Sequence, residues 1–282
     1  MERRVFGKTG ENISVIGMGT WYGNSYVATA KLTGRGSGFQ EKVEGLKRGL
    51  ELGMNFIDTA EMYMSEPVVA EAIKDYQRDN LFIATKVWTN HMKYEDVIKA
   101  AEKSLERLNT KYIDLYQIHW PSQSVPLKET LRAMEKLVYD GLVRYIGVCN
   151  FSVELLEEAK ESLAKQEVVS DQVEYNLIRR EAENDLLPYC ESNNLAVIAY
   201  RPVAHGGLAN PQGSLRMAMD EIAKKYNKTY SQIAINWLKV KSHATFPIPR
   251  ISNAKRAEED AGAAGWSLQQ DDMVALEKAS TQ

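Results

Sequence analysis

A chain of 282 residues with 44% hydrophobic and 26% charged residues is long enough to bury a large core, and this excludes a disordered, collagen-like or coiled-coil protein. The net charge of −3 argues against a nucleic-acid surface, which gathers Lys and Arg on one face. The two cysteines, Cys149 and Cys190, form neither a disulfide framework nor a Cys-rich metal site and suggest a reduced, cytoplasmic setting. No window approaches the roughly 20 apolar residues of a membrane span. Residues 1–7 do not read as an export signal, nor residues 279–282 as a lipid anchor.

In chain order, residues 4–6 and 13–16 predict a hairpin around the turn Gly7-Lys8-Thr9-Gly10. Short apolar runs then alternate with helical patterns. The runs at 15–19, 55–58, 81–86, 113–119, 145–148, 168–173, 196–200 and 245–249 read as strands. Val43, Leu46 and Leu50 repeat at helical spacing until Gly53, and Val97, Ala101, Leu105 and Leu108 do the same. Leu131, Met134, Leu137 and Val138 form another stripe, ended by Gly141. Leu155, Leu156, Ala159 and Leu163 follow Ser152, an N-cap residue type. Ile222, Tyr226, Ile233, Ile235 and Leu238 continue the pattern. The glycines at 34, 36 and 38 follow no strand and read as a flexible loop.

Eight strand–helix units predict parallel strands with crossover helices. Eight is the number that closes a (β/α)8 TIM barrel, here one α/β domain over residues 1–282 with a short N-terminal β-hairpin. An open doubly wound sheet is the competing architecture. It would be favoured by a Gly-rich dinucleotide loop, yet Gly17-Met18-Gly19 lacks the third glycine of that motif.

Barrel chemistry sits where strands end. Asp58, Lys86 and His119 close three consecutive predicted strands, and Tyr63 follows Asp58 by five residues. Alone, each has an ordinary role: a helix cap, a snorkelling lysine, a core histidine, a packed aromatic ring. Together they predict one pocket, because a buried lysine needs a charged partner and Asp58 is nearest. A lysine ammonium beside a phenol lowers its pKa, which suits Tyr63 to work as a general acid, while His119 orients a carbonyl oxygen. His91, His119, His205 and His243 are scattered, so no metal set is expected. Proton transfer to a carbonyl, with a cofactor carrying the harder step, is the chemistry that fits.

These segments resemble the aldo-keto reductase superfamily nearly end to end. The resemblance rests on Gly17-Met18-Gly19-Thr20-Trp21, on residues 56–63 with Asp58 and Tyr63, and on Thr85-Lys86-Val87-Trp88. It rests also on residues 114–121 with His119, on residues 146–151, and on Pro249-Arg250-Ile251-Ser252 with Arg256, Glu259 and Asp260. It implies NADP(H)-dependent reduction of aldehyde or ketone carbonyls to alcohols, with Asp58, Tyr63, Lys86 and His119 catalytic and Tyr63 the proton donor. It further implies that Thr20, Trp21, Asp58, Asn150, Gln172 and Tyr200 meet the nicotinamide end and that Arg201, Pro202 and Val203 pass the pyrophosphate. Pro249, Arg250, Ile251, Arg256, Glu259 and Asp260 would take the adenosine end. Trp21, Trp88 and Trp120 would line a substrate mouth with Tyr63 and His119. The implied partner is a small carbonyl or alcohol, with no nucleic acid and no membrane. Residues 24–39 look like an insertion beside the mouth, mobile through its glycines and able to serve as a lid. Cys149 stands where the family usually has Ser, and Met64 where it usually has Gly. A cofactor-sensing regulatory module, of the kind that accompanies some membrane channels, is the weaker alternative, since all four catalytic positions are filled.

Overall fold

Phe6 sets the floor of the molecule. In the computed structural model, which describes residues 1–280, it is fully buried against the rings of Phe246, Phe82 and Phe56, at centroid distances of 5.0, 5.1 and 5.9 Å. Thr281 and Gln282, the end of the predicted domain and of the tail, lie outside the described residues. The hairpin β1 (Arg3–Val5) and β2 (Asn12–Ser14) carries Phe6 there, with Gly10 at φ 77° turning the chain. Its second strand ends earlier than the apolar run suggested: the Val15 amide still donates to the Glu2 carbonyl at 3.1 Å, but the side chains of Val15 and Ile16 turn into the core.

Eight strands then run parallel in sequence order: β3 (Met18–Gly19), β4 (Phe56–Asp58), β5 (Phe82–Val87), β6 (Ile113–Ile118), β7 (Val143–Cys149), β8 (Val168–Glu174), β9 (Ala196–Tyr200) and β10 (Thr245–Pro247). A parallel bridge from Gly19 to Arg250 joins the first edge to the last. Three backbone hydrogen bonds reinforce this seam: Gly17 to Pro247 at 2.9 Å, Gly19 to Pro249 at 2.8 Å, and Ile251 to Gly19 at 3.0 Å. The sheet is thus the predicted (β/α)8 barrel, with no free edge. Phe56, Phe82, Ala84, Leu115, Ala196, Ile198, Phe246 and Ile248 form its apolar interior together with Phe6. A second and larger core lies between strands and helices.

The helices follow the predicted stripes. Leu46 and Leu50 lie on α2 (Phe39–Glu51), Leu105 on α4 (Tyr94–Leu108), and Met134 on α5 (Leu127–Tyr139), all buried. Ser152 accepts from the Leu155 amide at the start of α6 (Val153–Ser162), as its position predicts. The late stripe divides into α8 (Gly213–Tyr226) and α9 (Tyr230–Lys241). Asn227 turns left-handed at φ 52°, and Thr229 with Gln232 builds a capping box that restarts the helix. Residues 24–39 differ from expectation. They form helix α1 (Asn24–Thr33), anchored by buried Tyr26 and Ala30. Gly36 packs so closely on the Tyr26 ring that a Cβ there would lie 1.9 Å from it. The segment thus has its own helix and packing, with Gly36 held against the Tyr26 ring and Gly34 and Gly38 exposed. Among the described residues, no helix is long and apolar enough to cross a membrane.

Candidate active site

Strand ends bring the predicted polar groups together. Asp58 is the last residue of β4, Lys86 the penultimate residue of β5, and His119 follows β6 directly. A short helical turn at Glu61–Tyr63 folds Tyr63 back over them. Met64 closes that turn at φ 57°, a left-handed conformation that strains a residue with a Cβ.

Lys86 is fully buried. Its ammonium pairs with the Asp58 carboxylate and donates to the Thr59 carbonyl at 2.8 Å. Burial pulls its pKa down, but Asp58, with Tyr63 and Cys149 adding, lifts it above the ordinary lysine range, so it stays charged. The same nitrogen lies 4.8 Å from the Tyr63 ring centroid, and the Tyr63 hydroxyl lies 3.4 Å from His119 Nε2. Loss of water pushes the Tyr63 phenol up to about 12, with Lys86 opposing and Asp58 reinforcing the shift. This corrects the expectation that Lys86 sets the net shift: desolvation wins, and the lysine moderates it. The phenol therefore keeps its proton throughout the neutral range.

His119 is pushed down to about 2 by burial first and by the Lys86 charge second, so its imidazole is neutral. The folded value lies below the ordinary 6.5. Its contribution to stability is therefore complete above pH 6.5 and is lost as pH falls through the range toward 2, where only the unfolded chain takes the proton. Urea unfolding at pH 7 and pH 4.5 is expected to show an acid-induced loss approaching about 1.4 kcal/mol per pH unit from this residue. That part should vanish in His119→Gln; an unchanged acid dependence in the variant refutes the assignment.

Aromatic rings flank the pair. Trp21 packs on Tyr63 at 5.0 Å, and Trp88 meets His119 edge-on at 4.9 Å. Trp120, expected beside them, is 44% exposed and makes no ring contact with Tyr63 or His119 among the described residues. Thr20 is drawn inward: its hydroxyl donates to the Asp58 carbonyl at 3.0 Å and lies 3.0 Å from Ser65 Oγ. Gln172 Nε2 donates to Asp58 Oδ1 at 2.6 Å. Asn150, left-handed at φ 62°, donates from Nδ2 to the His119 carbonyl at 3.2 Å and accepts from the Tyr200 hydroxyl at 3.1 Å. Asn150, Gln172 and Tyr200 thus gather on one side of the Asp58–Lys86 pair.

Beyond Tyr200, Arg201 turns at φ 54° and donates to Glu174 at 2.8 Å, and Pro202 and Val203 lead into a short helical stretch, Ala204–Ala209. At the seam, Pro249 and Ile251 are buried while Arg250 is exposed. Arg256 donates to Glu259 at 2.7 Å and lies 4.0 Å from Asp260. Asp260 is buried, one carboxyl oxygen lacks a hydrogen-bond partner among the described residues, and burial lifts its pKa well above the usual range despite Arg256. An aromatic face with two amides at one end and a cation beside a buried carboxyl at the other fits a dinucleotide lying across the C-terminal rim.

Three sets of contacts add to the expected site. Glu61 Oε1 accepts from the Trp88 amide at 2.5 Å and lies 3.0 Å from His91 Nδ1, tying the Tyr63 turn to the Trp88 loop. Glu66, at the start of α3 (Glu66–Ile73), accepts from Thr85 at 2.7 Å and Arg107 at 2.5 Å behind Lys86. Cys149 donates to Gln117 Oε1 at 3.7 Å inside the barrel. Burial pushes the Cys149 thiol well up, so it is no nucleophile. Glu61 lay within the quoted motif; the other contacts depend on β5–β7 register and carry no local signal.

A parallel barrel whose rim presents a charged lysine–carboxylate pair beneath a protonated phenol and a neutral imidazole belongs to the oxidoreductase class that moves protons to carbonyls. The chain belongs to the Aldo/keto reductase family, whose model matches residues 15–281. It is 33% identical over 284 residues to methylglyoxal reductase YeaE of Escherichia coli (strain K12), covering 99% of this chain and 95% of that protein. Among solved structures it is similar to the thermostable aldo-keto reductase Tm1743 in complex with epalrestat, with a TM-score of 0.90, 37% identity and coverage of 99% and 100%. It is also similar to an aldo-keto reductase from Klebsiella pneumoniae in complex with NADPH, with a TM-score of 0.85, 31% identity and coverage of 99% and 95%.

Proposed function

We propose that this protein reduces aldehyde or ketone carbonyls to alcohols with NADPH, and that Tyr63 is the proton donor. The observation that carries this reading is the convergence of Tyr63 on His119 Nε2 at 3.4 Å above a buried, charged Lys86. The NADPH complex of the Klebsiella relative and the printed name of the Escherichia coli relative support it.

The reduced nicotinamide, when bound, supplies the hydride. Tyr200, Asn150 and Gln172 would hold its ring and carboxamide, and Arg201, Pro202 and Val203 would border its pyrophosphate. Trp21 and Trp88 exclude water and bracket the substrate. His119, neutral, offers an N–H toward the space beside the Tyr63 hydroxyl and orients the carbonyl oxygen there. Tyr63 then gives that oxygen its proton, and the Lys86 ammonium stabilises the phenolate left behind. Asp58, held by Gln172 and carried next to Thr20, keeps the lysine charged and aimed. Loss of reduced-nicotinamide absorbance with a panel of aldehydes, methylglyoxal included, tests the reading; no turnover with any member refutes it.

Arg250 and Arg256 would receive the adenosine end, Arg250 without a carboxylate in ion-pair distance among the described residues and Arg256 already braced by Glu259. Arginine binds phosphate with two parallel hydrogen bonds, each charged bond worth about 1.5–3 kcal/mol, or roughly 10- to 150-fold in affinity. Arg250→Ala is expected to raise the NADPH KM within that range and to leave that for NADH nearly unchanged. Arg256→Ala should raise it by about tenfold, near the lower bound, because its charge is partly neutralised. Equal kcat/KM for the two cofactors in the wild type would overturn the clamp.

A further inference from the structure

Strand β5 outruns its neighbour. Its even-numbered amides face β4: the Phe82 amide donates to the Asn55 carbonyl at 2.8 Å, and the pairing then runs on to Asp58 opposite Ala84. β4 ends at Asp58, while β5 continues to Val87. A strand repeats every two residues, so the Trp88 amide points the same way as that of Phe82 and lies beyond the last paired residue. A backbone donor left there needs another acceptor. Glu61 supplies it: Oε1 accepts from the Trp88 amide at 2.5 Å.

The same carboxylate takes His91. His91 Nδ1 lies 3.0 and 3.1 Å from its two oxygens, and the His91 amide donates to the Trp88 carbonyl at 2.9 Å. Glu61 thus grips both ends of the short turn 88–91. Its side chain is only 10% exposed, and among the described residues His91 is the only basic group within ion-pair distance. A carboxylate so enclosed is costly unless it is hydrogen-bonded, so the bonds to this turn account for an acid at this place. Glu61 also opens the turn that ends at Tyr63, whose amide donates to the Ala60 carbonyl at 3.0 Å. Two aromatic walls hang from the joined turns: Trp21 packs on Tyr63 at 5.0 Å, Trp88 meets His119 at 4.9 Å, and the Tyr63 and His119 rings stand 5.3 Å apart.

We propose that Glu61, steadied by His91, is a positioning residue that sets the gap between the Tyr63 turn and the Trp88 wall, and so the fit of the carbonyl substrate. The inference rests on the proposed reduction at Tyr63. Glu61 touches no reacting atom; it acts through the backbone of Trp88. Asn150, Gln172 and Tyr200 are held from the far side of the barrel, through His119, Asp58 and one another. Loosening the tie therefore changes how the carbonyl is held and leaves the nicotinamide side as it is.

The test is steady-state kinetics of Glu61→Ala with NADPH and the aldehyde that the wild type accepts best, beside a titration of NADPH followed by quenching of tryptophan fluorescence. Circular dichroism establishes that each variant is folded. The carbonyl KM is expected to rise about 10- to 150-fold, the worth of a charged hydrogen bond, while kcat falls less and the NADPH Kd is unchanged. Glu61→Gln keeps an acceptor for the Trp88 amide and forgoes only a partly exposed ion pair, so it is expected to restore the KM to within about fivefold of wild type. Glu61→Asp keeps the charge and shortens the reach by one methylene. It is expected to behave as Glu61→Ala does, and it carries the test where the Ala variant does not fold. A folded Ala or Asp variant with the wild-type KM overturns the tie and leaves the proposed function standing, and so does an NADPH Kd that rises as much as the KM. A wild-type enzyme that reduces no aldehyde of the panel overturns both.

Discussion

Tyr63→Phe is expected to lower kcat by about 10²- to 10⁴-fold while cofactor affinity and the fold are preserved. The substitution keeps the ring that packs on Trp21 and removes only the hydroxyl facing His119. With the phenol at about 12, the wild-type rate should be flat across neutral pH and should fall only as alkali strips the proton. His119 cannot replace the donor, because a group pushed down to about 2 carries no extra proton at pH 7. Steady-state kinetics with any accepted aldehyde decide the matter; activity within about threefold of wild type would remove Tyr63 from the role.

Lys86→Met is expected to be comparably damaging, by a different route. The ammonium is the group that opposes the upward shift of the Tyr63 phenol. Without it the phenol moves further up, the alkaline limb of the pH–rate profile moves to higher pH, and the plateau drops because a weaker acid donates more slowly. The variant also leaves Asp58 buried with only Gln172 as side-chain donor, and breaking a buried pair costs about 3–5 kcal/mol. Circular dichroism must therefore show a folded barrel before the rates are compared. Asp58→Asn should move the phenol the other way, downward, because the Asp58 charge reinforces the upward shift while Lys86 keeps its bond to the Thr59 carbonyl. A folded Lys86→Met enzyme with an unaltered pH profile would reduce the lysine to a structural part.

The four polar groups were legible because a barrel strand ends at a known face, so Asp58, Lys86 and His119 announce themselves by position. The barrel was legible from the repetition of short apolar runs. What one chain could not show was pairing across the barrel. Gln172 reaches Asp58 from four strands away, and Lys42 reaches the surroundings of Arg250 from the other end of the sequence. Boundaries failed where hydrophobicity outlasts strand pairing: the run 15–19 pairs with β4 only at Met18 and Gly19, while Val15 and Ile16 pack into the core ahead of it. The glycines at 34, 36 and 38 suggested softness, yet Gly36 is small because the Tyr26 ring occupies the space of a side chain. Thr229 and Gln232 stand at capping-box spacing inside the late helical stripe, so that break is written in the local sequence.

The seam carries a mechanical consequence. A barrel is as strong as its weakest join, and here the join is a two-residue strand met by a three-residue one, clasped at Gly17, Gly19 and Ile251. The residues on either side of that clasp, Trp21 and Arg250, are the ones proposed to touch substrate and phosphate. A molecule that touches both would bind only the joined barrel and would stabilise the seam by mass action, so the thermal stability of the frame is expected to rise with cofactor concentration.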